Sequence, residues 1–221
     1  MDFEKGEVFL IDKPYEWTSF DVVKKIRNTL RIKKVGHAGT LDPLATGLLV
    51  VCAGKSTKRI DTYQGWPKSY TGTLVLGKTT PSVDLETEFD SESDYSQVKV
   101  EDIEHAAASL TGDLMQVPPI YSAVKVDGQR AYKAARRKED IKLNPRPVTV
   151  HKFKLSMEKP PEVKFEIDCS KGTYIRSLVR DLGEKLGCGA YMSELRRTAI
   201  GEFKVSEAYN LEEFILALQS Q

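Results

Sequence analysis

One stretch gathers the residues best suited to chemistry: Gly36-His37-Ala38-Gly39-Thr40-Leu41-Asp42-Pro43-Leu44-Ala45-Thr46-Gly47. It holds three glycines, one histidine, one carboxylate and one proline, and the apolar run Leu48-Leu49-Val50-Val51 follows at once. Glycine admits positive φ and the close approach of another backbone, while Pro43 fixes its own φ and turns Asp42 away from helical geometry. A loop of this composition holds Asp42 in a defined pose at the lip of a buried strand. A carboxylate so placed serves as a nucleophile or a proton carrier. The same composition also suits a tight turn whose aspartate caps its own backbone.

A second chemical feature is Arg176, in the first turn of a helix predicted along Ile175, Leu178, Val179, Leu182 and Leu186, with Gly187 as its stop. The helix dipole disfavours an exposed cation there by about 0.3–1 kcal/mol. A carboxylate would offset that cost. Asp42 is one candidate, and Asp181 or Glu184 on the same surface are the others. Ala53-Gly54-Lys55-Ser56-Thr57 looks like the end of a phosphate-binding Walker loop, but that pattern needs a glycine five positions before Gly54, and position 49 is Leu. A P-loop is excluded.

The elements that position these residues follow from periodicity. Glu7 to Ile11 reads as a buried strand, and Thr18 or Ser19 offers an N-cap to a helix with Val22, Val23, Ile26 and Leu30 on one face. Leu48 to Val51 is a buried strand, and Ser56 is placed to cap a short helix through Ile60 and Tyr63 to Gly65. Ser69 to Gly77 alternates and is rich in β-formers, with Tyr70 at its start. An exposed acidic loop and a helix from Val100 to Leu110 come next. The segment from Arg130 to Lys138 looks helical, Lys164 to Cys169 is a half-buried strand, and Asn210 caps a last helix from Leu211 to Leu218.

A chain of 221 residues is most simply one domain, and an apolar fraction of 40% supports a real core. No run approaches the roughly 18 apolar residues of a membrane span. The acidic N-terminus lacks the apolar core of a secretory signal, so a cytoplasmic protein is expected. Cys52, Cys169 and Cys188 form no Cys-x-x-Cys pair, and the three histidines are scattered, which argues against a metal site. The net charge is only +1, but it is segregated. From Lys13 to Lys34 seven basic residues face two acids, and from Ile120 to Pro147 eight face three, a net of +5 in each tract. From Asp84 to Glu104 nine acids face Lys99 alone, a net of −8. Such segregation suits a protein with one side turned to a polyanion, although helix faces of mixed sign give similar tracts.

The order Gly-His-Ala-Gly-Thr-Leu-Asp-Pro-Leu-Ala-Thr-Gly-Leu-Leu resembles the catalytic motif of the TruB branch of pseudouridine synthases. Lys13-Pro14 resembles an N-terminal motif of that family. Cys169-Ser-Lys-Gly-Thr-Tyr-Ile-Arg176 matches a second motif, and Ser193-Glu194-Leu195-Arg196-Arg197 a third. The resemblance spans essentially the whole chain, from Lys13 to about Phe203. It implies an isomerase that flips the T-loop uridine of tRNA (uridine-55) out of its stack and converts it to pseudouridine, with an essential aspartate and no cofactor or metal. The implied fold is one α+β catalytic domain over residues 1–221, with a long, mixed, mainly antiparallel sheet flanked by helices. A basic insertion at 120–147 would close over the RNA stem-loop.

The resemblance also implies roles. Asp42 would be the catalytic carboxylate, Arg176 its partner, and Tyr70 the residue that stacks on the base and takes part in proton transfer. Whether Asp42 attacks the ribose or the uracil ring, or abstracts a proton, is open at this level. His37 would fill the space of the flipped base or stack in the loop, Tyr174 would wall the pocket, and Leu195 would line it, with Lys13 also at the substrate. Lys33, Lys34, Arg130, Lys133, Arg136 and Arg137 would contact the RNA backbone. The partner is the tRNA T-arm stem-loop, bound by a monomer that needs no protein partner. Many family members carry a further small RNA-binding domain, of which only the last short helix is expected here. Two rivals are the RNA-guided branch, which works in a multiprotein particle, and a non-catalytic RNA-binding relative. The chain's small size argues against the first. The intact Asp42, Tyr70 and Arg176 argue against the second, since a pure binder gains little from a buried ion pair.

Overall fold

The computed structural model describes residues 3–122, 124–126, 129–137, 139 and 142–219. In chain order its elements are β1 (Glu7–Lys13), α1 (Ser19–Leu30), β2 (Val35–Ala38), β3 (Thr46–Ala53), α2 (Ile60–Gly65), β4 (Lys68–Leu76), β5 (Lys78–Thr79), β6 (Ser91–Glu92), α3 (Val100–Ser109) and β7 (Gly112–Gln116). There follow β8 (Lys125–Val126), β9 (Gln129–Arg130), α4 (Ala131–Arg136), β10 (Arg146–Lys159), β11 (Glu162–Cys169), α5 (Ile175–Leu186), β12 (Ala190–Ile200), β13 (Phe203–Lys204), β14 (Tyr209–Asn210) and α6 (Leu211–Gln219). The chain forms two compact units, Met1–Thr71 with Leu195–Gln221, and Gly72–Glu194.

The first unit is built on β3. Strand β1 runs antiparallel to it from Glu7↔Ala53 to Lys13↔Gly47, and β2 pairs with its second half from Val35↔Ala53 to Ala38↔Val50. The start of β3 lies parallel to β12, with Arg196 opposite Thr46 and Arg197 opposite Gly47. The apolar run of β3 does not alternate because both faces are covered. Leu49 and Val51 pack with Ile11, with Val22 and Ile26 of α1, and with Leu211, Phe214 and Ile215 of α6. Leu48, Val50 and Cys52 face the other way, onto Ala38, Tyr63 and Ile200. Helix α1 starts in a capping box: Asp21 N donates to Thr18 Oγ1 (3.0 Å) and Thr18 N to Asp21 Oδ2 (3.1 Å), which stabilises a helix by about 1 kcal/mol. Ser19 is thereby released for another task. Asn210 caps α6 as expected, its Oδ1 accepting from Glu212 N at 2.9 Å.

In the second unit β10 pairs antiparallel with β11 on one side and with β7 on the other. Val163, Phe165, Ile167 and Cys169 of β11 are buried in alternation, as the sequence predicts. Helix α5 spans Ile175–Leu186 and ends at Gly187, also as predicted. In each unit, then, helices flank a mainly antiparallel sheet, and the first unit's sheet is mixed, with parallel pairs β1–β14 and β3–β12. Two local expectations are corrected. Ser56 caps no helix: Gly54–Arg59 is a 3-10 turn in which Thr57 Oγ1 donates to Gly54 O at 2.8 Å, and α2 starts without a side-chain cap. The acidic segment is not uniformly exposed, since Asp84 at its start is buried, as are Ser82 and Val83 just before it.

Candidate active site

The Asp42 loop lies in the first unit and is held at four backbone positions by three buried side chains. Lys13, at the end of β1 and 0% exposed, donates from Nζ to Pro43 O (3.1 Å), Pro14 O (2.9 Å) and Trp17 O (2.5 Å). An ammonium has three donors, and all three are engaged. Ser19 Oγ accepts from Leu41 N at 2.9 Å and lies 3.3 Å from Leu41 O. Arg197, on β12 and 1% exposed, donates from Nε to Leu48 O (2.8 Å) and from Nη2 to Gly39 O (3.0 Å). A turn bond from Ala45 N to Asp42 O (3.1 Å) closes the loop. Asp42 is half-buried between these anchors. Gly39 (φ +86°) and Gly47 (φ +101°) occupy backbone conformations that L side chains rarely adopt.

Charge and burial oppose each other across this cluster. Burial pushes the Lys13 ammonium down to about 8; Asp42 draws it back up, Arg197 lowers it further, and Asp21 raises it. His37 on β2 is pushed below its ordinary value by burial and by Arg197, against the Gly39 carbonyl, and is neutral at pH 7. Its Nδ1 is buried and has no hydrogen-bond partner among the described residues. Arg197 is lowered by burial and sustained by the Tyr70 hydroxyl, to which it is hydrogen-bonded. Tyr70 is half-buried at the start of β4, and Leu195 is buried two residues before Arg197 on β12.

Tyr174 and Arg176 stand in the second unit. Gln116 reads the Tyr174 backbone twice: Tyr174 N donates to Oε1 (2.8 Å) and Nε2 donates to Tyr174 O (3.1 Å). The Tyr174 ring packs on Val124, Ala131 and Leu143 of the 120–147 segment. Arg176 is 3% exposed, with Nη1 donating to Ser82 O (3.0 Å), Nη2 to Tyr121 O (2.8 Å), and Nε 3.6 Å from Asp84 Oδ2. Asp181 and Glu184, weighed as partners from sequence, engage Arg180 instead, at 2.7 and 3.9 Å. Their place on the exposed side of α5 puts them out of line with a buried arginine. Asp84 was legible only as one of nine acids, and Gln116 and Arg197 carried no local signal beyond the third motif.

The first unit thus brings together Lys13, His37, Asp42, Tyr70 and Leu195 around Arg197. Lys33 and Lys34 are exposed just after α1, where Arg27, Asn28, Arg31, Ile32 and Lys33 line an open basin of about 510 Å³. Arg137 is exposed and paired with Glu139 at 2.7 Å. The side chains of Arg130, Lys133 and Arg136 lie outside the described residues, as does Lys138.

The family model described as TruB family pseudouridylate synthase (N terminal domain) matches residues 27–175, and that of the tRNA pseudouridylate synthase B C-terminal domain matches residues 176–220. The tRNA pseudouridine synthase B of Phocaeicola vulgatus is 47% identical over 220 residues, covering 97% of this chain and 94% of the relative. That of Flavobacterium johnsoniae is 45% identical over 225 residues, covering 99% and 98%. Among solved structures, a chain of "Crystal Structure of a Cbf5-Nop10-Gar1 Complex" superposes with a TM-score of 0.75 at 30% identity, and one of "Structure of H/ACA RNP bound to a substrate RNA containing 2'-deoxyuridine" with 0.72 at 28%. Each match covers 96% of this chain, which spans about half of theirs (54% and 53%). A motif loop locked in place by buried side chains, on a chain alike to these relatives along almost all its length, belongs to the TruB family of pseudouridylate synthases.

Proposed function

We propose that the protein is a tRNA pseudouridine synthase that isomerises the T-loop uridine, uridine-55, with Asp42 as its essential carboxylate. The observation that carries this reading is the Asp42 loop itself, whose backbone is fixed at residues 39, 41, 43 and 48. Preorganisation of that kind lowers a barrier because the reacting group need not be ordered in the transition state. Relatives at 45–47% identity that carry the name tRNA pseudouridine synthase B support tRNA as the substrate over the RNA-guided alternative, whose solved chains are 28–30% identical.

The chemistry is an isomerisation. The N1–C1′ bond breaks, the uracil turns over, C5 bonds to C1′, C5 loses its proton and N1 gains one. Atoms and electrons balance without a second substrate. The base must leave the stack to be reached. In this reading Tyr70 stacks on it and moves a proton, Leu195 and Tyr174 line its pocket, and neutral His37 takes up the space left in the loop. The assignment of Arg176 to catalysis rests on the match of Cys169–Arg176 to the second family motif. Lys13 anchors the loop, since its donors are already spent. Lys33, Lys34, Arg130, Lys133, Arg136 and Arg137 contact phosphates, residues 120–147 close on the T-arm, and the whole chain acts as one monomeric catalytic domain in the cytoplasm.

The test is to map the product. A transcribed tRNA and an isolated T-arm stem-loop are incubated with the protein, and pseudouridine is located by its carbodiimide adduct in primer extension. One stop at the T-loop uridine in both RNAs is expected. A stop elsewhere, or one only in whole tRNA, overturns the T-arm assignment.

A further inference from the structure

Beyond anchoring the Asp42 loop, Arg197 has no part in the roles assigned above, yet it is among the largest fully buried side chains of the described residues. Its partners are Leu48 O, Gly39 O and the Tyr70 hydroxyl; among the described residues none is a carboxylate. A buried cation held only by neutral acceptors is costly, and a fold retains such a group where it serves a site. The loop is shaped to it at both ends. A Cβ on Gly39 would sit 3.4 Å from Arg197 Nη1, and one on Gly47 would overlap the Arg197 backbone.

The direction of the third bond matters. A guanidinium only donates, so Tyr70 Oη accepts from Arg197. The planar fork also fixes the three acceptors relative to one another, which a single ammonium does not. We propose that Arg197 is a positioning residue for the isomerisation: it sets both ends of the Asp42 loop and fixes the Tyr70 side chain relative to that loop. This inference rests on the catalytic reading of Asp42 and Tyr70. Because Arg197 is 1% exposed, it acts without touching RNA.

The experiment measures kcat and KM on the T-arm stem-loop for wild type, Arg197→Lys, Tyr70→Phe and the double variant. For Arg197→Lys, kcat falls about 10²-fold, the scale of a misplaced catalytic group, while KM stays within about two-fold. In the Tyr70→Phe background the same change costs about five-fold less, since the two act as a unit. A kcat within about two-fold of wild type, a loss confined to KM, or an equal loss in both backgrounds overturns the proposal. If Arg197→Lys does not fold, the ¹⁵N signal of the Arg197 guanidinium is followed in the foldable Tyr70→Phe variant. A shift against wild type supports the bond, and an unchanged signal overturns it. Wild type that isomerises no RNA sinks the functional reading; active wild type with a fully active Arg197→Lys sinks only this inference.

Discussion

At the scale of single residues, the site is held by cations the protein has taken out of water. Lys13 shows the consequence for pH. Its folded value of about 8 lies below the ordinary 10.5, so between these pH values the unfolded chain binds more protons than the native one. Stability from this group therefore rises with pH across that window. From pH 7 to pH 9.5 the gain is about 2 kcal/mol. Buried Cys52, raised to about 11, acts in the opposite sense, because its thiol titrates later in the native state. Comparing wild type with Lys13→Met cancels Cys52: urea unfolding at the two pH values should show the gain in wild type and lack it in the variant. Equal changes in both proteins contradict the assignment. Little of this was legible in advance. A lysine next to a proline reads as a strand end, and only the family motif marked Lys13 as special.

At the scale of elements, patterns that repeat were readable and single long-range partners were not. The caps of α1 and α6, the span of α5 and the alternation of β11 all follow from local rules and appear where expected. The approach of Asp84 to Arg176 follows from no such rule, because Asp84 is 92 positions away and sits at the head of an acidic run that composition assigns to solvent. Burying Arg176 at the start of α5 sets a cation against the helix dipole, and the Asp84 carboxylate offsets it. Asp84→Ala should destabilise the protein by about 3 kcal/mol, because a charge is left with one fewer buried counterpart. Thermal and urea unfolding would read it. A variant as stable as wild type would mean that the guanidinium is held without the Asp84 carboxylate.

At the scale of the whole molecule, charge segregation is the feature the sequence displays most openly, and it concerns RNA affinity more than fold. Lys33 and Lys34 are exposed beside the basic basin after α1. Replacing both with alanine should weaken T-arm binding and lower the slope of log affinity against log salt by about 2, with the rate from bound RNA unchanged. An unchanged slope removes them from the interface. The fold class and the Asp42 loop were legible because they follow from apolar runs and from twelve consecutive motif residues. The anchoring of that loop by Lys13, Ser19 and Arg197 was not, since it joins strands and a helix more than 20 residues apart.

The most direct measurement is single-turnover release of tritium from T-arm RNA labelled at uridine C5, by wild type and by Asp42→Asn. Release by wild type, with a fall of at least about 10³-fold in a folded, RNA-binding Asp42→Asn, is the expected result. Release at wild-type rate from Asp42→Asn, or none from folded wild type that binds the RNA, would contradict the role given to Asp42.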